Sequence, residues 1–337
     1  MSAMKIPLSV LDLVPNPTGM HSSEAFANAR ELARRSEELG YTRYWIAEHH
    51  NTDSFISAAT VLLIGMIARE TETIRVGSGG IMLPNHSPLA VAEQFLTLES
   101  LFPGRIDLGL GRAPGTDQLT ALALRRSREL LAADDFPQQI DLLQAYAGEL
   151  ELPEGHPLKQ VRAAPSDVRL PPLWILGSST FGAELAARRG LPYSFAYHFS
   201  PQAAPMAMSA YRNGFRPSDR LSEPHAMLGV SVVCAETTEE ADFHAGSHDL
   251  MWLQIRTGKR GKLPTAAEAE AYDYSPEERG LVAQSRQLLV WGDPEQVRTQ
   301  LLELKDRYSA DEFILTSHIA DHAARVRSYE LVAEALS

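Results

Sequence analysis

The chain has 337 residues, of which 44% are hydrophobic and 22% charged, a composition typical of a globular protein with a large core. Its 31 basic and 43 acidic residues give a formal net charge of −12, and no basic cluster is present, which argues against a nucleic-acid-binding surface. The single cysteine, Cys234, excludes an intrachain disulfide bond and a cysteine-rich metal site. Because the sequence shows neither a secretory-signal pattern nor an apolar stretch of about 18 residues, we expect a cytoplasmic protein with no membrane partner.

Short apolar runs alternate along the chain with longer stretches of helical period. We predict helices from a cap at Ser22 to a stop at Gly40, over Ala90–Leu101, and over Phe181–Arg189 with a stop at Gly190. We predict eight strands, at Ile6–Leu13, Tyr44–Ala47, Ile74–Gly79, Arg105–Leu110, Leu173–Leu176, Ser194–Ala196, Ala226–Ala235 and Glu312–Thr316. Such alternation requires right-handed crossovers and a parallel sheet, and eight strands favour a closed (β/α)8 TIM barrel over an open sheet. The prediction is a single α/β domain over residues 1–337.

Two stretches are too long for one strand and one helix. Residues 149–172 are rich in Pro, Gly and charge, and residues 252–287 are long and polar. We predict that both are irregular insertions on the loops at the carboxyl face of the barrel, where substrate walls are built. The second insertion is further predicted to act as a lid.

In a barrel of this kind the site is built from the residues that follow the carboxyl ends of the strands. Those segments are "AEHHN", "GSGGIMLPNH", "GLGRAPG", "GSSTFG" and "YHF". In "GSSTFG", hydroxyl groups stand at the start of a predicted helix, whose free N–H groups can bind phosphate. The alternative is that Ser179 or Thr180 only caps the helix. Arg112 would complete a phosphate site, because its guanidinium group can contact two phosphate oxygens.

The triplet Glu48, His49 and His50 follows the second strand. A histidine there suits proton transfer or hydrogen bonding near neutral pH. Together with His86 or His198 the triplet could instead bind a metal ion, as in a metal-dependent TIM-barrel hydrolase. Adjacent residues of an extended chain point in opposite directions, however, which disfavours His49 and His50 as joint ligands. We therefore predict no metal; a histidine pair that only holds the loop remains the structural alternative.

Taken in order, three long segments resemble the bacterial luciferase-like flavin-dependent monooxygenases: "AEHH", "VGSGGIMLPNHSPLAVAEQFLTLESLFPGRIDLGLGRAPG" and "WILGSSTFGAELAARRGLPYSFAYHF". The resemblance extends from Ile6 to about Phe199 and is weaker beyond, and it points to a bacterial branch distinct from the true luciferases. It implies a (β/α)8 barrel that binds FMN at its carboxyl face. It also implies a small organic substrate, oxygenated by reduced FMN and O2 through a C4a-peroxyflavin. A separate NAD(P)H:flavin reductase would supply the reduced FMN, and the protein would be a homodimer.

The resemblance also assigns residues. Gly79 and Gly80 match a glycine pair joined by a cis peptide bond beneath the flavin ring, and His49 matches the catalytic histidine of the family, with Glu48 as its acidic neighbour. The positions matching the phosphate site are Arg112, Ser178, Ser179 and Gly182. Two of these depart from the luciferases, which have a glutamate where this chain has Ser178 and a hydroxyl-bearing residue where it has Gly182.

The substrate pocket is expected to include Leu11, Tyr197 and His198, with part of the 252–287 segment. Their mixture of apolar and polar side chains selects no particular compound. The same fold family contains enzymes that transfer hydride with the deazaflavin F420, so F420 is the alternative cofactor. A flavin-binding relative without catalytic activity is a further alternative.

Overall fold

The computed structural model describes residues 6–132 and 134–337, and within them eight parallel strands close into a barrel, with a ninth strand attached. The barrel order is β1, β2, β3, β4, β5, β6, β7 and β9, with β9 pairing back to β1. The predicted (β/α)8 barrel is thereby confirmed. The strands are β1 (Leu8–Asp12), β2 (Arg43–Ile46), β3 (Arg75–Met82), β4 (Ile106–Gly111), β5 (Leu173–Gly177), β6 (Tyr193–Phe195), β7 (Ala226–Cys234), β8 (Leu289–Gly292) and β9 (Glu312–Thr316).

Each of the eight predicted strands is present and belongs to the barrel. The strand that the prediction missed is β8, which pairs with the last residues of β7, Ser231–Cys234, outside the closed ring. Its four residues form a short apolar run, and such a run cannot be assigned to helix or strand from its period. Strand β3 continues to Met82, past its predicted end at Gly79, and its register with β4 shifts between Ser78 and Ile81.

Helices cover the outside of the barrel. They are α1 (Ser22–Glu38), α2 (Thr60–Glu70), α3 (Pro88–Leu101), α4 (Gln118–Arg125), α5 (Arg128–Ala132), α6 (Phe136–Tyr146), α7 (Thr180–Arg189), α8 (Ala204–Gly214), α9 (Thr238–Arg256), α10 (Ala266–Glu270), α11 (Pro276–Arg286), α12 (Pro294–Tyr308) and α13 (His322–Ala335). The cap of α1 is His21 rather than the predicted Ser22, because the His21 side chain accepts a hydrogen bond from the Ser23 N–H. Helix α7 ends at Gly190 in the left-handed conformation, as predicted. Among the described residues, no helix has the length and apolar character needed to span a membrane.

The segment 149–172 contains neither a helix nor a strand, as predicted. The prediction of an irregular segment over residues 252–287 was wrong, because the end of α9 and both α10 and α11 lie within it. Reciprocal hydrogen bonds between Thr265 and Glu268, and between Ser275 and Glu278, form capping boxes at the starts of α10 and α11. Such boxes satisfy the free N–H groups of a helix start, so a polar sequence can still be helical. The irregular part is the connection between α9 and α10.

Buried charges fill the amino end of the barrel. Arg43 lies between Asp107 and Glu312, with N–O distances of 2.7 and 3.1 Å. Arg75 contacts the other oxygen of Asp107 at 2.6 Å, and His225 lies 3.0 Å from Glu312. Asp107 is fully buried and Glu312 is 1% exposed, so each carboxylate depends on these partners to offset the loss of water.

Candidate functional site

A cavity of about 820 Å³ opens at the carboxyl ends of the strands, within the range of about 300–1,000 Å³ that is usual for ligand pockets. The last turns of α9 and residues 258–261 form part of its wall. Eight of the predicted site residues line the cavity: Leu11, His49, Gly79, Arg112, Ser178, Ser179, Gly182 and His198. The tertiary structure therefore brings together residues from six different strands or the segments that follow them. Three predicted residues, Glu48, Gly80 and Tyr197, lie outside the lining.

Tyr197 corrects the predicted substrate pocket. Its ring lies 5.4 Å from that of Tyr308 at the end of α12, on the outside of the barrel. The neighbouring His198 instead lines the cavity. Phe199 also lines the cavity, so the turn over residues 197–199 places its last two side chains at the cavity and Tyr197 away from it.

The floor of the cavity is bare backbone at Gly79. The Gly79–Gly80 peptide bond is cis, as the resemblance implies. A Cβ atom on Gly79 would lie 2.4 Å from Leu11 Cδ1, and a Cβ on Gly80 would lie 2.7 Å from the carbonyl oxygen of Gly109. Gly79 lines the cavity together with Leu11, whereas a side chain on Gly80 would point at the neighbouring strand β4. The absence of side chains at this point lets a flat ring approach the backbone closely.

One side of the cavity offers hydrogen-bond donors without partners among the described residues. Ser179 caps α7, but its hydroxyl makes no cap hydrogen bond. The hydroxyl of Ser178 and the first N–H groups of α7 are likewise free of partners in residues 6–132 and 134–337. The guanidinium of Arg112 lies 4.1 Å from the Phe181 ring and 3.4 Å from the exposed carboxylate of Asp134. A helix N-terminus, two hydroxyls and an arginine form a donor set that suits a phosphate.

Glu48 is 1% exposed and does not line the cavity, so its carboxylate is not placed to contact a ligand directly. His50 and His86 each donate from Nε2 to the same carboxylate oxygen, at 2.8 and 2.9 Å. The Met82 N–H donates to the other oxygen at 2.9 Å. Burial raises the pKa of Glu48, but these hydrogen bonds outweigh it and lower the pKa to about 2. Glu48 is therefore a fixed carboxylate that orients His50, which does line the cavity.

Besides His50, three imidazoles line the cavity near the carboxyl ends of β2, β6 and β9, and these three are held neutral. Burial lowers the pKa of His49 and of His198 to about 4. Burial and neighbouring cationic groups lower the pKa of His318 well below its usual value. His198 donates from Nδ1 to the Gly229 carbonyl oxygen at 2.9 Å, so its neutral ring leaves Nε2 as an acceptor.

His318 was missed by the sequence prediction. It stands two residues after β9, in "ILTSH". The rule that located the other site residues, a polar side chain just beyond a carboxyl strand end, applies equally to this position. The prediction collected such ends only from the second to the sixth strand.

No three His, Cys, Asp or Glu side chains converge in a metal-binding arrangement anywhere in residues 6–132 and 134–337. Three of the predicted candidates are already engaged in hydrogen bonds within the protein. His50 and His86 are turned toward Glu48, whose oxygens are already occupied, while His198 is turned toward Gly229.

Comparison with known proteins agrees with this geometry. The model of the luciferase-like monooxygenase family matches residues 6–311. The chain belongs to this family. The luciferase-like monooxygenase of Escherichia coli is 43% identical to it over 98% of this chain and 97% of its own length. Two Bacillus subtilis proteins are also similar. YvbT is 49% identical over 97% of this chain and 96% of its own, and N-acetyl-S-alkylcysteine monooxygenase is 32% identical over 98% of each chain.

Three solved structures share the fold. Apo-MsnO8 superposes with a TM-score of 0.88 at 37% identity and covers 98% of both chains. The oxygenating component of 3,6-diketocamphane monooxygenase from Pseudomonas putida, solved with FMN, has a TM-score of 0.72 at 16% identity and covers 98% of this chain and 97% of its own. An F420-dependent secondary alcohol dehydrogenase has a TM-score of 0.70 at 15% identity. At such low identity the last two show the fold alone.

Proposed function

We propose that this luciferase-like monooxygenase uses reduced FMN and O2 to oxygenate a small organic substrate. The observation that carries the proposal is one cavity with a phosphate-type donor set at one side and the bare backbone of Gly79 at its floor. FMN has a phosphate at one end and a flat ring at the other, so its two ends match these two features. Bound reduced FMN would supply the electrons that activate O2.

At the phosphate side, Arg112 would pair with the phosphate charge, and the hydroxyls of Ser178 and Ser179 would donate to its oxygens. Gly182 can contribute only its backbone N–H. The Arg112 side chain is 46% exposed, and its contact with Asp134 is at the long end of the ion-pair range. Such an exposed pair contributes little to stability, so Arg112 can bind a ligand phosphate without disrupting the fold.

Near the ring, His49 is the residue in our proposal that moves a proton. Its Nδ1 is buried, and no hydrogen bond links its ring to another described residue, so Nε2 is the atom available to a ligand. Because the ring is neutral at pH 7, Nε2 can accept a proton from the substrate or donate one in the other tautomer. Glu48 would act as a positioning residue through His50.

The wall formed by α9 and residues 258–261 would exclude water. Met251, Trp252 and Ile255 line the cavity from α9. In the connection between α9 and α10, the Leu263 N–H donates to the Asn16 carbonyl and the Leu263 carbonyl accepts from the Thr18 N–H, which links this connection to the loop after β1. Excluding water protects a reactive intermediate from unproductive breakdown. We propose that residues 257–265, rather than the whole segment 252–287, are the part that opens for substrate entry.

The proposal includes two partners. The chain would receive reduced FMN from a separate NAD(P)H:flavin reductase, and it would work as a homodimer. The second candidate cofactor is F420, because an F420-dependent enzyme has the same fold and the phosphate donor set would also accept the phosphate of F420.

Anaerobic calorimetric titration with reduced FMN and with reduced F420 tests the proposal. We expect reduced FMN to bind more tightly than reduced F420. Arg112→Ala should weaken FMN binding by about 10- to 100-fold, since hydrogen bonds to charged groups are worth about 1.5–3 kcal/mol. Arg298→Ala, which removes an exposed arginine of α12, is the matched control and should leave the affinity unchanged. Tighter binding of F420 would reassign the cofactor, and an unchanged FMN affinity in Arg112→Ala would refute the phosphate site.

A further inference from the structure

Much of the cavity wall that lies away from Arg112 is apolar. Its walls come from the carboxyl ends of β1 and β9, from the loop after β2 and from α9. The side chains of this wall form one buried cluster that includes Leu13, Phe55, Met251 and Ile314, with Trp252 packed against it. Among these apolar groups His318 introduces two polar nitrogen atoms.

His318 is 5% exposed, yet its ring makes no hydrogen bond with any residue in 6–132 or 134–337, and its Nδ1 is buried without a partner. The ring is held by stacking instead. It lies 5.3 Å from Phe55 and 5.7 Å from His248, to which it is nearly parallel. A buried polar group without a partner is costly and therefore uncommon in native proteins.

Four other histidines of this protein have hydrogen-bond partners within the fold. His225 is paired with Glu312, and His50 and His86 are paired with Glu48. His198 also lines the cavity, but it donates to the Gly229 carbonyl. His318 has no such partner within the described residues. This is the arrangement expected of a ring that forms its hydrogen bond with a bound ligand.

The surroundings of His318 determine the kind of ligand. Burial is the main cause that lowers the pKa of His318 and favours its neutral form, followed by the nearby His248, His198, Arg325 and His49. Arg325 is itself neutralised by Asp12 at 2.7 Å. A charged ligand group would be buried here without a counter-ion, which is unfavourable. A neutral imidazole can donate to a carbonyl or exchange hydrogen bonds with a hydroxyl group.

We propose that the apolar half of the cavity, between β9, α9 and Phe55, binds the substrate, and that His318 forms a hydrogen bond with an uncharged carbonyl or hydroxyl group of an otherwise apolar molecule. This inference rests on the proposed function, because it assumes that the Arg112 side of the cavity is occupied by FMN. His318 is thereby a substrate-binding residue in addition to His49. It lies beyond residues 6–311, the part of the chain that the family model matches.

Four probes of similar size test the inference: acetophenone, 1-phenylethanol, ethylbenzene and phenylacetate. Their binding to the protein with oxidised FMN is measured by ligand-observed NMR titration. We expect acetophenone and 1-phenylethanol to bind about threefold to tenfold more tightly than ethylbenzene, the gain of one neutral hydrogen bond. Phenylacetate should bind more weakly than acetophenone, because its charge finds no partner.

The variant His318→Phe keeps the ring and its stacking but removes both nitrogens. It should abolish the preference over ethylbenzene and leave the ethylbenzene and FMN affinities within about twofold. His156→Phe, in the irregular segment 149–172, is the matched control and should keep the preference. A preference that survives in His318→Phe would overturn the inference.

A second measurement does not depend on the variant. In the 15N-histidine-labelled parent protein with FMN bound, acetophenone should shift one ring-nitrogen resonance that is absent from His318→Asn. If FMN binds but no probe binds or shifts that resonance, the inference fails while the proposed function stands. If FMN itself does not bind, the proposed function fails.

Discussion

At the amino end of the barrel, the buried charges of Arg43, Asp107 and Glu312 are paired with one another. At the carboxyl end, His49 and His318 have no hydrogen-bond partner among the described residues, and Arg112 has only a long contact with Asp134. The two ends thus use their polar side chains differently. Satisfied groups at the amino end stabilise the fold, whereas groups left free at the carboxyl end are available to ligands, as is usual for barrels of this type.

The kinds of side chain found at the two ends explain why the groups at the amino end are paired and those at the carboxyl end are not. Carboxylates and guanidinium groups stay charged, so burying them requires partners within the protein. An imidazole can become neutral instead, and burial drives His49 and His198 to that form by lowering their pKa to about 4. A neutral ring can remain without a partner at a much smaller cost than a buried charge. The three predictions below test this difference, beginning with the largest effect.

Removing a charge at the amino end should affect stability strongly. Asp107→Ala would leave Arg43 and Arg75 without their shared carboxylate, and breaking a buried pair in this way costs about 3–5 kcal/mol. Urea unfolding should show this loss, whereas Arg112→Ala at the other end should stay within about 0.5 kcal/mol of the parent. If the two substitutions cost the same, the division between the ends does not hold.

The buried histidines should make the protein sensitive to acid. Between about pH 6.5 and pH 4 the unfolded chain binds protons that folded His198 does not, so stability falls as the pH falls. Replacing His198 by Asn keeps a donor for the Gly229 carbonyl and removes the titration. The loss of stability between pH 7 and pH 5 should then be smaller by up to about 2 kcal/mol.

Urea unfolding at pH 7, 6 and 5 checks this prediction. His21→Asn is the matched control, because His21 is an exposed helix cap and asparagine caps helices equally well. The control should keep the acid sensitivity of the parent. Equal slopes for all three proteins would mean that His198 does not resist protonation in the folded state.

The smallest effect is expected at Asp134, which is 73% exposed beside Arg112. Asp134→Asn should change the free energy of unfolding by less than about 0.5 kcal/mol, as is usual for exposed ion pairs. It should strengthen FMN binding by up to about threefold, because Arg112 loses a competing anion. Asp306→Asn, an exposed acid in α12, controls for the change in net charge. Weaker FMN binding in Asp134→Asn would contradict the assignment of Arg112.

Much of the site followed from the sequence because a single rule locates it. Polar segments after predicted strands identified His49, Arg112 and Ser179, and the family resemblance added Gly79; all four line the cavity. The rule fails where the direction of a side chain matters. It could not tell that Glu48 points away from the cavity toward His50 and His86, or that Tyr197 packs against Tyr308.

The sequence by itself determined the eight barrel strands, the family and the identity of the residues at the strand ends, because hydrophobic period and local glycine and capping patterns are properties of short segments. Only the tertiary structure decided which of those residues share a cavity and which have partners. His318 and His49 are distant along the chain, yet their rings lie 5.3 and 6.0 Å from the ring of Phe55. Burial and hydrogen bonding between distant segments arise when the barrel closes, and they set the charge and availability of every group in the site.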